Sequence, residues 1–358
     1  MLIIERNMFK NLKILELSNV LAGPAVGMFF AELGAKVVKI ENKISGGDIT
    51  RKWKLPEEKN DDASAYFCSV NYQKEYIQMD FTDNEERKLL NKHIENSTII
   101  ITNFKAGDAE KFNLSFKDCK KLNPKIIYAH IGGFKSSPKR VAFDVILQAE
   151  TGFISMTGNK HNLAKMPVAM IDVLAAHQIK EGILTALLLQ QKNPIAYKVT
   201  TTLEETALSS LMNQSANYLM ANHVPKPMGT LHPNIAPYGD IIYCKEDIAL
   251  ILAIGTDKQF LNFCEIIHLT KNTIDKFDTN QKRLNSRKEL MDDLQQKTKL
   301  LSTKDLLSKC LDKSIPIGRV NDIKEVMNTT LAQKMILEEK INGNQTRRIK
   351  TVAFDLSS

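Results

Sequence analysis

Apolar positions in the first 200 residues follow two patterns: short continuous runs, and longer stretches repeating every three or four residues. Leu12–Leu17 (LKILEL) predicts a strand, Met28–Leu33 an apolar helix closed by Gly34, and Lys36–Ile40 (KVVKI) a second strand ending at Glu41. Strand, helix and strand in that space form a parallel unit, because parallel strands need a crossover. Tyr76–Phe81 alternates, with Ile77, Met79 and Phe81 on one face. Glu85–Ile94 reads as helix, Thr98–Thr102 as a buried strand, Phe116–Leu122 as helix and Lys125–His130 as strand. The segment 103–107 follows a strand's carboxyl end, where open parallel sheets bind ligands. Phe143–Gly152 predicts a helix with Asp144 as its cap. Val168–Ile171 after Pro167 predicts a short strand buried on both faces. Beyond it, Val173, Ala176, Ile179, Ile183, Ala186 and Leu187 keep helical spacing. Asp172 thus stands at a strand-to-helix junction, where a carboxylate can cap the helix or project into a cleft as a nucleophile.

This alternation predicts an α/β, doubly wound large domain. After Pro194 the pattern changes: Lys198–Thr202 predicts a strand and Glu204–Asn222 one long helix. His223–Gly239 (HVPKPMGTLHPNIAPYG) holds four prolines and two glycines, so it predicts an irregular loop or linker. Ile241–Ile254 predicts two strands around a polar turn, followed by helices over Lys258–Ile267, Arg287–Thr298 and Thr303–Cys310. That is a smaller α+β domain. Pro316–Val320 predicts a turn with strand character before a final set of elements.

A chain of 358 residues, 43% hydrophobic, can bury two cores. The net charge of +8 comes from positions scattered over polar faces, with no run of five and no aromatic-interleaved basic stripe. Nucleic acid is therefore not expected as a partner, and anionic small molecules remain open. Five widely spaced cysteines without a CxxC pair fit reduced thiols and a cytoplasmic location. MLIIERNMFK is too short and too charged for a signal peptide, and no run of 18 apolar residues predicts a membrane span. Gly23-Pro24 reads as a turn after the first strand. AGPAVG misses the dinucleotide fingerprint, since Pro24 removes a backbone amide. Trp53–Ser64 reads as an exposed excursion, with Glu57-Glu58 and Asp61-Asp62 as solvated charges. His130, His161 and His177 lack metal spacing and read as structural or surface residues, so no metal is expected. His232 reads as part of a proline-stiffened loop.

Eight blocks then align in order with a known family: NVLAGPAVGMFFAELGAKVVKIE, GGDITR, NYQKEYIQMDF, TNFKAG, IGGF to FDVILQAETG ending in MTG, VAMIDVLAAHQIKEGILTALL, HPNIAPYG and IGRVNDIKEV. On these the chain resembles the class III CoA-transferases (CaiB/BaiF) along nearly its whole length. The resemblance implies an α/β fold with a Rossmann-like parallel-sheet large domain (residues 1–200, binding CoA). A linker helix and Pro-rich loop (201–240), a small α+β domain (241–315) and a C-terminal return to the large domain (316–358) follow. It also implies an interlocked homodimer, with His223–Gly239 closing over the active site.

By the same resemblance Asp172 is the catalytic aspartate, which moves CoA from an acyl-CoA to a carboxylic acid through an anhydride and an aspartyl-CoA thioester. With an ordinary pKa near 3.9 it is expected to be ionised at neutral pH. Oxyanions would be met by amides beside Asp172 or near Gly239. No tightly bound cofactor is implied, CoA thioester being the substrate. The implied CoA contacts are Val20, Leu21, Lys43, Asn71, Lys74, Asn103, Phe104, Lys105, Lys111 and Arg140. Phe143 stands where the family's racemase branch has a histidine, which disfavours racemisation. Leu21 stands where the formyl-CoA branch has a glutamine, and HPNIAPYG is closer to members handling dicarboxylic or carnitine-type acyl groups. Two alternatives stay open: an isomerase using Asp172 as a proton-transfer base, and a non-catalytic CoA-binding subunit.

Overall fold

The computed structural model describes residues 8–59 and 63–357. Residues 1–7, on which the N-terminal reading partly bears, and Asp61-Asp62 lie outside them. The chain forms two compact units. One takes in the chain up to Ser155, Ala164–Pro225 and Thr330 onward, and the other Met156–Leu163 and Lys226–Thr329.

The first unit is built on β1 (Lys13–Leu17), α1 (Ala22–Glu32), β2 (Lys36–Asn42), β3 (Lys74–Met79), α2 (Asn84–Glu95), β4 (Ile99–Thr102), α3 (Phe116–Leu122) and β5 (Ile127–Gly132). It continues through α4 (Asp144–Glu150), α5 (Met170–Lys192), β6 (Tyr197–Thr202), α6 (Leu203–Ser209) and α7 (Met212–Ala221). The six strands pair in the order β3-β2-β1-β4-β5-β6, all parallel. The apolar runs are continuous because both faces are covered. Ile14, Val37, Ile99, Ile101 and Ile127 share a core with α1 and α5, while Leu15, Val38, Ile40, Ile100 and Tyr128 pack with Leu90 and Ile94 of α2 and Cys119 of α3. Each fully buried aliphatic side chain contributes about 1.5–3 kcal/mol. Truncating a central one such as Ile101 to Ala costs about 2–5 kcal/mol. From β1 the chain runs to β2 on one side and later returns as β4 on the other. The carboxyl ends of β1 and β4 therefore flank the switch point where such sheets open a crevice.

Three local expectations are corrected. Gly23-Pro24 is not a turn but the first turn of α1, where a missing amide costs nothing. A Cβ on Gly23 would lie 2.3 Å from Ser18 Oγ, and one on Gly27 would lie 1.9 Å from Glu16 Oε2, so these glycines serve close helix-to-strand approach. Val168–Ile171 is not a strand, because α5 already begins at Met170 and Val168 is exposed. An apolar run this short has no periodicity of its own to decide its state. The helix expected over Glu204–Asn222 breaks into α6 and α7: the Ser209 and Ser210 hydroxyls both donate to the Thr206 carbonyl, competing with the helical ladder, and Met212 has φ +41°.

In the second unit Tyr238–Tyr243, Ala249–Ala253 and Ile317–Arg319 form an antiparallel sheet over Phe260, Phe263, Leu290, Leu294 and Leu306. Ile317–Arg319 therefore belongs to this unit, and the return to the first begins at Thr330, not residue 316. The Pro-rich loop is tied down within its own unit. Arg287 donates to the carbonyls of His232 and Tyr238 and pairs with Asp240, and buried Arg283 donates to the Ala236 carbonyl. In the first unit the C-terminal hairpin Ile336–Ile341 and Asn344–Ile349 places Arg348 on the Asn71 carbonyl, and the Thr351 and Val352 amides donate to Glu32.

Candidate active site

The turn leaving β1 lies at the switch point, and nearly every polar group in it is tied. Asn103, just past β4, accepts from the Asn19 amide (3.0 Å) and donates to the Asn19 carbonyl (2.8 Å). Lys39 Nζ donates to the Ser18 carbonyl, and the Val20 amide donates to the Asp48 carboxylate at 3.3 Å. Val20 has φ +73°, which for a β-branched residue stores strain on the order of 1–3 kcal/mol.

A buried charge network supports this turn. Lys39 lies 3.0 Å from Glu16 and 3.1 Å from Asp48, all three side chains fully enclosed. Burial works against the Lys39 charge, but Glu16 and then Asp48 outweigh it and hold its pKa above the ordinary value. Lys74 spends its three protons on the carbonyls of Pro24 and Val70 and on Asn71 Oδ1, at 2.8–2.9 Å. Glu16 Oε2 sits 2.7 Å from the Lys74 ammonium without a proton directed at it, so that contact is electrostatic. Burial lowers the Lys74 pKa to about 8 against the pull of Glu16.

The ten implied CoA contacts therefore separate. The loop carrying Val20 and Leu21 and the one carrying Asn103, Phe104 and Lys105 come together, joined through Asn19. Lys105 is exposed, as is Lys111, whose ammonium lies 5.2 Å from the Phe112 ring centre. Lys43 is exposed and paired with Glu86, and Arg140 is exposed, paired with Glu150 and stacked on Phe134. Asn71 and Lys74 are interior and internally satisfied, so they brace α1 and β1 instead of offering free polar groups. His130 is half-buried, 2.9 Å from Thr102 Oγ1 at the ends of β5 and β4, and burial pushes its pKa down to about 4.

Asp172 lies in the first turn of α5 and is only 7% exposed. It is not the cap. Asp144 reaches across from α4 and accepts from the amides of Ile171 (2.7 Å) and Asp172 (3.3 Å), so its expected role on its own helix is corrected to capping α5. Gln148, one turn along α4, donates to the other Asp144 oxygen and accepts from the Met166 amide at 2.8 Å. The two amides beside Asp172 are consequently spent and offer nothing to an oxyanion. Among the described residues the Asp172 carboxylate has no cationic partner and accepts no hydrogen bond. Burial, and secondarily the Asp144 charge, raise its pKa to about 7, so the expectation of full ionisation at neutral pH is corrected.

Sequence reasoning missed Tyr66. Its phenol is half-buried and packs edge-on to Trp53, with ring centres 5.2 Å apart. Burial first, then the nearby charges of Asp172, Asp144 and Asp48, push its pKa up to about 12, so it keeps its proton. The stretch before it, exposed over most of its described residues as expected, is tied at one point: the Glu58 carboxylate accepts from the amides of Leu55 and Ala65. No periodic signal marks Tyr66 in the sequence.

The model of CoA-transferase family III matches residues 9–358. The chain belongs to CoA-transferase family III. As a member it is an enzyme, a CoA-transferase, as the sequence blocks imply. This family III chain is 32% identical to the succinate–glutarate CoA-transferase of Agrobacterium fabrum, over 88% of this chain and 80% of the relative. It is 27% identical to the succinyl-CoA:mesaconate CoA-transferase of Haloarcula hispanica, over 89% of this chain and 81% of the relative. Its fold matches the crystal structure of a CaiB/BaiF family protein from Brucella suis with a TM-score of 0.82 at 30% identity, covering 96% of this chain and 91% of that one. Among the described residues no helix is long and apolar enough to cross a membrane, and no side-chain cluster suits a metal ion.

Proposed function

We propose that the enzyme moves CoA from an acyl-CoA to a carboxylic acid with Asp172 as covalent nucleophile, and that its acids are dicarboxylic. The observation that carries this reading is the Asp172 carboxylate itself: buried, unpaired, and raised to a pKa of about 7. A carboxylate without hydrogen bonds or a counterion is a stronger nucleophile than a solvated one, and half of it is ionised at neutral pH. One Asp172 oxygen attacks the thioester carbonyl, the C–S bond breaks, and a mixed anhydride and CoA thiolate result. The thiolate attacks Cγ of Asp172, releasing the donor acid and leaving an aspartyl-CoA thioester. The acceptor carboxylate attacks the same Cγ, forming a second anhydride and again expelling thiolate. The thiolate then takes the acceptor acyl group, and Asp172 returns as a carboxylate. Each step exchanges one activated acyl bond for another. With the neighbouring amides spent, the protonated Tyr66 phenol is the donor we assign to the developing oxyanion.

The CoA contacts we assign are Val20, Leu21, Asn103, Phe104 and Lys105 at the switch point, with Lys43, Lys111 and Arg140 as exposed charges for phosphate. Asn71 and Lys74 act from beneath. The dicarboxylic class rests on the relatives named above and the HPNIAPYG loop. The test is hydroxylamine or borohydride trapping after incubation with succinyl-CoA, read by peptide mass spectrometry. Modification at Asp172 is expected, and an active enzyme left unmodified there would overturn the reading. Proton transfer without a covalent step would instead exchange deuterium into the acyl α-carbon with no acceptor acid present.

We further propose a homodimer in a reducing cytoplasm. Helix α7 has no buried residue yet exposes Met212, Tyr218, Leu219 and Met220, an apolar face suited to a second copy. All five cysteines are unpaired and buried. Light scattering at micromolar concentration should return twice the chain mass.

A further inference from the structure

We propose that Asp48 is a positioning residue for CoA binding, holding the Ser18–Leu21 turn in its strained shape, with Lys39 as its buried counterion. This rests on the reading that the turn borders CoA. Asp48 is 1% exposed, and both of its oxygens are taken up by groups of this chain. Both accept from the Val20 amide, one also accepts from the Thr50 amide and hydroxyl, and the other faces Lys39. The Asp48 amide in turn donates to Glu41, which is clamped by Arg51 through two guanidinium nitrogens. The chain Arg51–Glu41–Asp48–Val20 thus runs from the loop after β2 to the residue with φ +73°. From the opposite side Asn103 fixes both backbone groups of Asn19. A strained conformation persists only where its surroundings over-determine it, and here four ties converge on three consecutive residues. Among the described residues none of these ties is made to Asp172, so the loss of Asp48 should act on binding more than on the covalent step.

The full-length enzyme is assayed with desulfo-CoA for affinity and with succinyl-CoA for kcat, KM and Asp172 trapping. In Asp48→Asn we expect CoA affinity to fall about tenfold or more while trapping at saturating substrate stays within about threefold. Val20→Gly supplies a residue that adopts positive φ without strain, so in that background Asp48→Asn should cost less than about threefold. A purely structural Asp48 would show the same loss in both backgrounds, and that result, or unchanged affinity in Asp48→Asn, would overturn the proposal. If Asp48→Asn does not fold, Lys39→Met/Asp48→Asn leaves no lone buried cation and answers the same question by the same two backgrounds. A parent enzyme that neither binds desulfo-CoA nor is trapped at Asp172 would show instead that the functional reading beneath has failed.

Discussion

Two groups of buried acids in the sheet unit are treated in opposite ways. Glu16, Asp48 and Glu41 sit among Lys39, Lys74 and Arg51, each negative charge facing a cation at 2.6–3.1 Å. Asp144 and Asp172 are also buried, at 9% and 7% exposure, and among the described residues neither is paired with a cation. Asp144 is satisfied by helix amides and Gln148, and Asp172 is left with nothing but its neighbour's charge. Neutralised acids hold the backbone in place. Asp172, with neither a cation nor a hydrogen bond on its carboxylate among the described residues, has its pKa raised to about 7, and in the proposed reading the contrast separates scaffold from chemistry within one unit.

The largest effect expected is at Asp172, the acid proposed to react. Asp172→Asn should lower turnover by roughly 10⁴-fold or more, measured as new thioester by mass spectrometry, while Asp172→Asn protein keeps its affinity for desulfo-CoA. On the scaffold side, Lys39→Met strands Asp48 without its cation and should cost about 3–5 kcal/mol, read as a lower urea midpoint at unchanged slope.

The same Asp172→Asn change should stabilise the fold, and the sign is fixed by the pKa. Folded Asp172 titrates near 7 against an ordinary 3.8. Between those values the folded chain holds a proton that the unfolded chain has released, so stability falls as pH rises through that window. The variant should therefore gain on the order of 2 kcal/mol on the parent between pH 5 and pH 8, seen by thermal melts at both. An equal difference at both pH values would erase the contrast drawn above. Tyr66→Phe should reduce kcat by roughly 10- to 100-fold with little change in melting temperature. Smallest is the effect of Asp144→Asn, which keeps an oxygen for the Ile171 amide but removes the second cause of the Asp172 shift. The parent's kcat/KM should rise through about pH 7, and in the variant that midpoint should move toward acid.

Much of the fold was legible. Strands and helices of the large unit follow the two apolar periods, and Arg287–Thr298 has the bounds read from the sequence. What failed had a local cause. Val168–Ile171 is too short for a period to show. Gly23-Pro24 looks like a turn in isolation because close packing on Ser18 and Glu16 is a tertiary fact. Asp172 was legible as the candidate nucleophile because its family block surrounds it. Asp144 was legible as a cap, but of the wrong helix: its partners lie 27 and 28 residues on. The resemblance implies Lys74 as a CoA contact, but its ammonium is fully engaged by the Pro24 and Val70 carbonyls and Asn71.

By itself the sequence determined the parallel α/β architecture, the smaller second unit and the family, and it singled out Asp172 as the carboxylate proposed to react. These are carried by apolar periodicity and by residues close together in the chain. Only the tertiary structure decided that, among the described residues, Asp172 has no counterion while Asp48 has one, that Asp144 and not Asp172 caps α5, and that Val20 is held at positive φ from two sides. Those properties are sums over neighbours brought from distant segments, and desolvation has no value until the chain around a charge has closed.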